Sequence, residues 1–76
     1  MDVVAVVTGS NKGIGYGIVE ELCRRGVSVV YLTTRDVTKG QQAVQNLKQE
    51  GFNPAFHQLD VTDKSSVKKF AEHLKI

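Results

Sequence analysis

A chain of 76 residues has material for one small domain, and a domain of that size buries only about 60% of the surface its unfolded form exposes. Ten basic and eight acidic residues, interspersed, leave a net charge of +2, which argues against nucleic acid or a membrane surface as the main partner. One cysteine excludes an internal disulfide and, with two histidines, offers no metal cluster.

Val3-Val4-Ala5-Val6-Val7 opens the chain as a short, uninterrupted, largely β-branched run, the pattern of a buried strand. No signal peptide or membrane span is expected, since this run ends by Thr8. A reducing compartment is compatible with the single thiol, and a cytoplasmic location is expected. The glycine-rich stretch Thr8-Gly9-Ser10-Asn11-Lys12-Gly13-Ile14-Gly15 comes next. A helix is then predicted from about Ile14 to Arg25, with Ile14, Ile18, Val19, Leu22 and Cys23 on its apolar face. Arg24 and Arg25 suit the negative end of the helix dipole, and Gly26 supplies a left-handed stop.

The second strand is predicted over Ser28–Thr33. Asp36 is a good N-cap for a second helix over Val37–Glu50, which turns Ala43, Val44 and Leu47 inward and ends at Gly51. A third strand follows from about Pro54 to Leu59, opened by the only proline. After the loop Asp60-Val61-Thr62, either Thr62 or Asp63 caps a third helix, with Val67, Phe70, Ala71 and Leu74 at i, i+3, i+4 and i+7. The alternation is βαβαβα, in the α/β class. Strands joined through such helices pair in parallel by right-handed crossovers. The expected fold is one mononucleotide-binding half of a Rossmann-type doubly wound parallel sheet, strand order 3-2-1, with residues 1–76 forming a single nucleotide-binding segment. The first two helices are expected on one face and the third partly on the other. The first strand then lies at an edge without charge, proline or glycine, so self-association through it is expected.

The glycine stretch sits where a strand becomes a helix. The first amides of a helix lack internal partners and carry partial positive charge, and glycines let a phosphate approach them. The spacing Gly9-x-x-x-Gly13-x-Gly15 is neither G-x-G-x-x-G nor a Walker A loop. A pyrophosphate is expected near the amides of Gly13, Ile14 and Gly15. The residues after the second strand then decide between two dinucleotides. An acid there would bond an unmodified ribose, and a cation would pair with a 2′-phosphate. The strand ends in Thr33-Thr34-Arg35 with no acid, and Lys12 can approach the same phosphate. Asp36 competes as a ribose ligand but is read as the cap of the second helix. Asp60 is placed to accept from an adenine amino group, with Val61 packing on the ring. The candidate cofactor-binding set is Gly9, Asn11, Lys12, Gly13, Ile14, Gly15, Arg35, Asp60 and Val61, and the expected cofactor is NADP(H).

Thr8-Gly9-x-x-x-Gly13-Ile14-Gly15 and Leu59-Asp60-Val61-Thr62 resemble the amino-terminal part of the short-chain dehydrogenase/reductases. The longer stretches Val7–Gly15, Leu32–Val37 and Phe56–Val61 resemble most closely the monomeric NADPH-dependent carbonyl reductases. The resemblance implies Lys12 and Arg35 on the 2′-phosphate, the Ile14 amide on the pyrophosphate, and Asp60 with Val61 at the adenine. It implies reduction of carbonyl compounds (aldehydes, ketones or quinones) by the complete protein. The family continues with Asn-Asn-Ala-Gly, a catalytic Ser and Tyr-x-x-x-Lys. None of these is present, and neither Tyr16 nor Tyr31 has a lysine four positions on. The segment alone is therefore expected to be a fragment without turnover, having no catalytic residue. A non-catalytic nucleotide-binding or protein-interaction module is the alternative. A nucleic-acid binder is disfavoured by the even charge. Cys23 reads as a core thiol, His57 and His73 as ordinary strand and helix residues, and Lys64, Lys68, Lys69 and Lys75 as the solvated face of the third helix.

Overall fold

The computed structural model describes residues 3–74. Lys75, assigned above to a solvated helix face, lies outside them. The elements are β1 (Val4–Val7), α1 (Gly13–Arg24), β2 (Val29–Thr34), α2 (Val37–Gln49), β3 (Ala55–Gln58) and α3 (Lys64–Leu74). Bounds differ from expectation by a residue or so at each end, as fraying termini do. Ser28, Pro54 and Leu59 flank strands rather than belonging to them, and Thr34 extends β2.

The sheet runs β1-β2-β3 with both pairs parallel, which is the expected order 3-2-1. Val4 pairs with Val29 and Val7 with Leu32 on one side of β2, while Tyr31 pairs with Ala55 and Thr34 with Gln58 on the other. Alternation along β2 sends Val30 and Leu32 to one face, where they meet Val19 of α1 and Ala43, Val44 and Leu47 of α2. Leu32, Leu47 and Val19 are wholly buried, and each stabilises the fold by about 1.5–3 kcal/mol relative to exposure. Tyr31 points to the other face and meets Phe70 of α3, its ring centroid 5.5 Å away. The helices thus divide between the faces as expected.

Both interior helix ends are closed by left-handed glycines. Gly26 has φ +80° and Gly51 φ +93°. The amides of Val27 and Phe52 reach back to the carbonyls of Leu22 and Leu47, a six-residue closure that satisfies the last turn of each helix.

Two expectations about buried faces are corrected. Ile14 is 85% exposed and Ile18 46% exposed, so the inner face of α1 is Val19 with half-buried Leu22 and Cys23. α1 lies over β1 and β2, and its Ile14–Ile18 stripe has no sheet beneath it among the described residues. On α3, Phe70 is buried, but Val67 is 44% exposed and Ala71 is exposed. α3 contacts the sheet chiefly at β3, so only one turn of its apolar stripe finds cover.

Candidate functional site

The carboxyl ends of the three strands open into a cleft of about 440 Å³. Its walls come from the loop after β1 (Thr8, Gly9, Asn11, Lys12), from the end of β2 and start of α2 (Thr34, Arg35, Asp36, Lys39), and from the loop after β3 (Leu59, Asp60, Val61, Thr62). The structure therefore brings together Gly9, Asn11, Lys12, Arg35, Asp60 and Val61 of the candidate set. Gly13, Ile14 and Gly15 form the first turn of α1, next to Lys12 and outside the cleft lining.

The glycine loop owes its shape to three different needs. Gly9 (φ +57°) and Gly13 (φ +63°) take left-handed backbone conformations, which other residues adopt only with strain. Gly15 has no such backbone. A Cβ there would stand 2.9 Å from Ser10 Cα and 3.0 Å from the Gly9 carbonyl oxygen, so its absence lets α1 close against the loop. Ser10, which the sequence reading passed over, is wholly buried and fixes the loop to β2. Its amide donates to the Thr33 carbonyl at 2.9 Å, and its hydroxyl accepts from the Thr33 amide at 3.0 Å and donates to Val7 O at 2.7 Å. It stands in for the strand partner that Thr33 loses where β1 ends.

At the start of α1, the first helical bond runs from the Tyr16 amide to the Lys12 carbonyl at 3.4 Å, and the Lys12 side chain makes no capping bond. The amides of Gly13, Ile14 and Gly15 are thus left open for an anion. The other two helices are capped from within. Asp36 accepts from the Lys39 amide at 3.0 Å, and Asp63 accepts from the Ser65 amide at 2.9 Å. Asp36 is therefore engaged as the cap that its position predicted.

Arg35 is held by its backbone: Gln58 Nε2 donates to the Arg35 carbonyl at 3.1 Å, and Leu59 N to the Thr34 carbonyl at 2.9 Å. These bonds join the ends of β2 and β3 as the floor of the cleft. Asp60 Oδ1 accepts from the Thr62 hydroxyl at 2.6 Å and the Thr62 amide at 2.9 Å. Those bonds, the hydroxyl first, hold the Asp60 carboxyl below the usual carboxylate range, and the nearby Arg35 charge adds a smaller pull the same way. The Asp60 amide in turn donates to Ser66 Oγ of α3 at 2.9 Å, tying the loop to that helix.

Lys39 is the cleft residue that sequence reasoning missed. It lies in the first turn of α2, four residues after Arg35, and with Lys12 it also borders a shallower extension of about 240 Å³ along α2. A second cation in the first turn of the helix that follows Arg35 was the available signal. A larger concavity of about 680 Å³ lies between α2 and β3, near Pro54 and Phe56. Lys48 is its one cation, and no open helix amides face it, so it lacks the chemistry for phosphate. Among the described residues no group of His, Cys, Asp and Glu could hold a metal ion, and no helix is long and apolar enough to cross a membrane.

The arrangement combines open amides, a backbone that a ligand can approach closely, and three cations facing acids already engaged. That donor set fits a phosphorylated nucleotide. Comparison with known proteins gives the same direction. The family model for short chain dehydrogenases matches residues 3–75. Carbonyl reductase [NADPH] 1 of Homo sapiens is 54% identical over 72 residues, covering 95% of this chain and 26% of that protein. The structure of salutaridine reductase from Papaver somniferum superposes with a TM-score of 0.88 at 50% identity, over 95% of this chain and 25% of the other. A metagenomic short-chain oxidoreductase in complex with NADP gives 0.81 at 34% identity, over 93% and 32%. The chain spans about a quarter of the length of the curated relatives it matches.

Proposed function

This chain belongs to the short chain dehydrogenase family, and we propose that it is the NADP(H)-binding segment of a carbonyl reductase-like oxidoreductase. The complete protein would reduce small aldehydes, ketones or quinones to alcohols. The observation that carries this reading is the convergence of Lys12, Arg35 and Lys39 on one cleft whose two acids are occupied, Asp36 by the cap of α2 and Asp60 by Thr62. Three cations near an unengaged 2′-phosphate dianion favour the phosphorylated cofactor. An acid free to bond the ribose would favour the other. The open amides of Gly13, Ile14 and Gly15 would hold the pyrophosphate. Gly9 and Asn11 would line its approach, and Asp60 with Val61 would flank the adenine.

Bound NADPH supplies the hydride; this chain binds and orients its adenosine end. Proton delivery to the carbonyl oxygen needs a group able to give up its proton near neutral pH. Tyr16 does not suit: burial first, then the charges of Glu50 and Glu20, push its hydroxyl further up. Tyr31 is engaged with His73 at 3.1 Å. No residue of this chain is assigned a catalytic role, and no turnover of aldehydes or quinones with NADPH is expected from it alone. That lack favours, as a second reading, a module that binds nucleotide without chemistry.

The test is a titration of NADPH and NADH into the chain and into Arg35→Ala and Lys39→Ala. Charge-assisted contacts contribute about 1.5–3 kcal/mol each when well formed, and Arg35 and Lys39 are exposed, so a preference of roughly tenfold per cation is expected. Equal affinity for the two cofactors in the unmodified chain would sink the assignment and turn attention to Asp36 as a ribose ligand.

A further inference from the structure

β2 ends at Thr34, which pairs with Gln58 of β3. The chain then bends through Arg35 and Asp36 before α2 starts at Val37. On either side of this bend the backbone is tied by short-range or ladder bonds. The Thr34 carbonyl accepts from the Leu59 amide at 2.9 Å, and the Asp36 carbonyl accepts from the Gly40 amide at 2.9 Å. The Asp36 amide donates to Thr34 Oγ1 at 3.4 Å. The Arg35 carbonyl is held differently. Its helical donor would be the amide four residues on, that of Lys39, but Asp36 Oδ1 takes that amide at 3.0 Å. The Arg35 carbonyl accepts instead from a side chain of the next strand, Gln58 Nε2, at 3.1 Å. Gln58 thereby adds one rung to the β2–β3 ladder past its last pair, as Ser10 does for Thr33 where β1 ends.

Arg35 lines the nucleotide cleft and Gln58 does not. The ion pairs of the described residues all lie on α1, between Glu20 or Glu21 and Arg24 or Arg25, so none anchors the Arg35 guanidinium. What aims that side chain is the bend that carries it, and Gln58 is the cross-strand tie of that bend. The other two cations are launched from elsewhere. Lys39 stands in the first turn of α2, which the Asp36 cap fixes without Gln58. Lys12 comes from the loop after β1.

We propose that Gln58 is a positioning residue for the 2′-phosphate: it fixes the peptide that carries Arg35, and through Arg35 it sets the discrimination between phosphorylated and unphosphorylated nucleotide. This inference rests on the function proposed above and adds to it a residue outside the cleft. Gln58 is exposed, so water replaces its bond to the Arg35 carbonyl when the side chain loses its donor. Water does not replace the anchoring. The freed bend samples more backbone conformers, and ordering it around a phosphate is then charged against binding. The open amides of Gly13, Ile14 and Gly15 and the Asp60–Val61 wall are untouched, so the loss falls only on ligands that carry the 2′-phosphate.

The test is a set of double-mutant cycles read on two probes, adenosine 2′,5′-bisphosphate and adenosine 5′-monophosphate, which differ only in the 2′-phosphate. Titration at about pH 8 keeps the phosphates dianionic. The preference for the bisphosphate is measured in the unmodified 76-residue chain, in Gln58→Met, Arg35→Ala and Lys39→Ala, and in Gln58→Met combined with each of the other two. Methionine keeps the length of the side chain and loses the donor, at a site exposed enough to accept it. Gln58→Met is expected to lose roughly threefold to tenfold of the preference, with affinity for the monophosphate unchanged. The loss should disappear where Arg35 is already alanine and persist where Lys39 is, since only the first pair is coupled. A preference retained within about twofold in Gln58→Met, an equal loss for both probes, or a loss that persists in Arg35→Ala overturns the positioning role and leaves the cofactor reading standing. Equal binding of the two probes by the unmodified chain, or no binding of either, overturns that reading and the inference with it.

Discussion

Ser10→Ala should cost this chain about 1–3 kcal/mol, because it orphans one buried amide and nothing else. The Ser10 hydroxyl has a single proton. It is given to Val7 O at 2.7 Å rather than to Thr33 O at 3.2 Å. Removing the hydroxyl leaves Val7 O with a second donor, the Thr33 hydroxyl at 2.8 Å. It leaves Thr33 O with the Ser10 amide at 2.9 Å. The Thr33 amide, bonded to Ser10 Oγ at 3.0 Å, loses its partner in a site where both residues are wholly buried. Thr33→Val is the control. It removes a donor to Val7 O, which keeps the Ser10 hydroxyl, so no buried group is orphaned. Its cost should stay within about 0.5–1.5 kcal/mol, offset in part by the strand preference of valine. Against a total of roughly 4–11 kcal/mol for a chain of this size, both effects are measurable as shifts of the urea midpoint at constant slope. A loss below about 0.5 kcal/mol for Ser10→Ala, or a larger loss for Thr33→Val, would refute the bookkeeping of donors.

Two glycines should respond in opposite directions to alanine. Gly17→Ala meets open space inside α1 and should stabilise by up to about 1 kcal/mol, whereas Gly40→Ala puts a Cβ into the Phe56 ring and 2.7 Å from Thr34 Cγ2 and should cost about 1–3 kcal/mol by overpacking; thermal melts of the pair check the contrast. Asp60 is held below the usual carboxylate range by Thr62, so its contribution is present above its unfolded value, near pH 4, and is lost as pH falls through the lower folded one. An acid titration followed by circular dichroism should show a component that Asp60→Asn lacks. The β1 edge has no partner strand among the described residues, with Val4 49% and Val6 38% exposed. Association that grows with concentration in sedimentation, and falls in Val6→Lys, is the expected outcome; a monomer at every concentration with protected Val4 and Val6 amides would speak against it.

The fold was legible because each of its signals is local and they agree. Asp36 caps, Gly26 and Gly51 stop, and the β-branched runs lie between them, so local chemistry already divides the chain into six elements. What periodicity could not supply was how much sheet would lie under each helix. Ile14 and Ile18 fit the apolar stripe of α1, and Val67 and Ala71 that of α3, yet all four are exposed. A periodic stripe records what a helix can bury, whereas burial needs a surface opposite it. The close approach at Gly40 was invisible for the same reason: Phe56 is sixteen positions away (56 − 40), and only the crossover brings its ring to α2.

The site divides along the same line. Residues recognised by what they do to their own backbone were readable: positive φ at Gly9 and Gly13, and the cap at Asp36. Reading Asp36 as a cap also bears on the more consequential question of which charge stands free after β2, since one of its carboxylate oxygens is bonded to the Lys39 amide. Residues whose role depends on a partner from another strand were not readable. Ser10 looks like loop filler until Thr33 is seen beside it, and His57 and His73 look unrelated at a separation of sixteen residues (73 − 57) until β3 and α3 bring their rings to 4.6 Å. Lys39 lies between these cases. It stands in the first turn of α2, four residues after Arg35, but its relevance requires knowing that Lys12 comes from the other side of the cleft. The cleft is thus a meeting of three strand ends, each of which advertises its own conformation and conceals its neighbours. A cation pair across it is specified by topology, and the parallel order of β1, β2 and β3 is what brings scattered lysines and an arginine to one cleft.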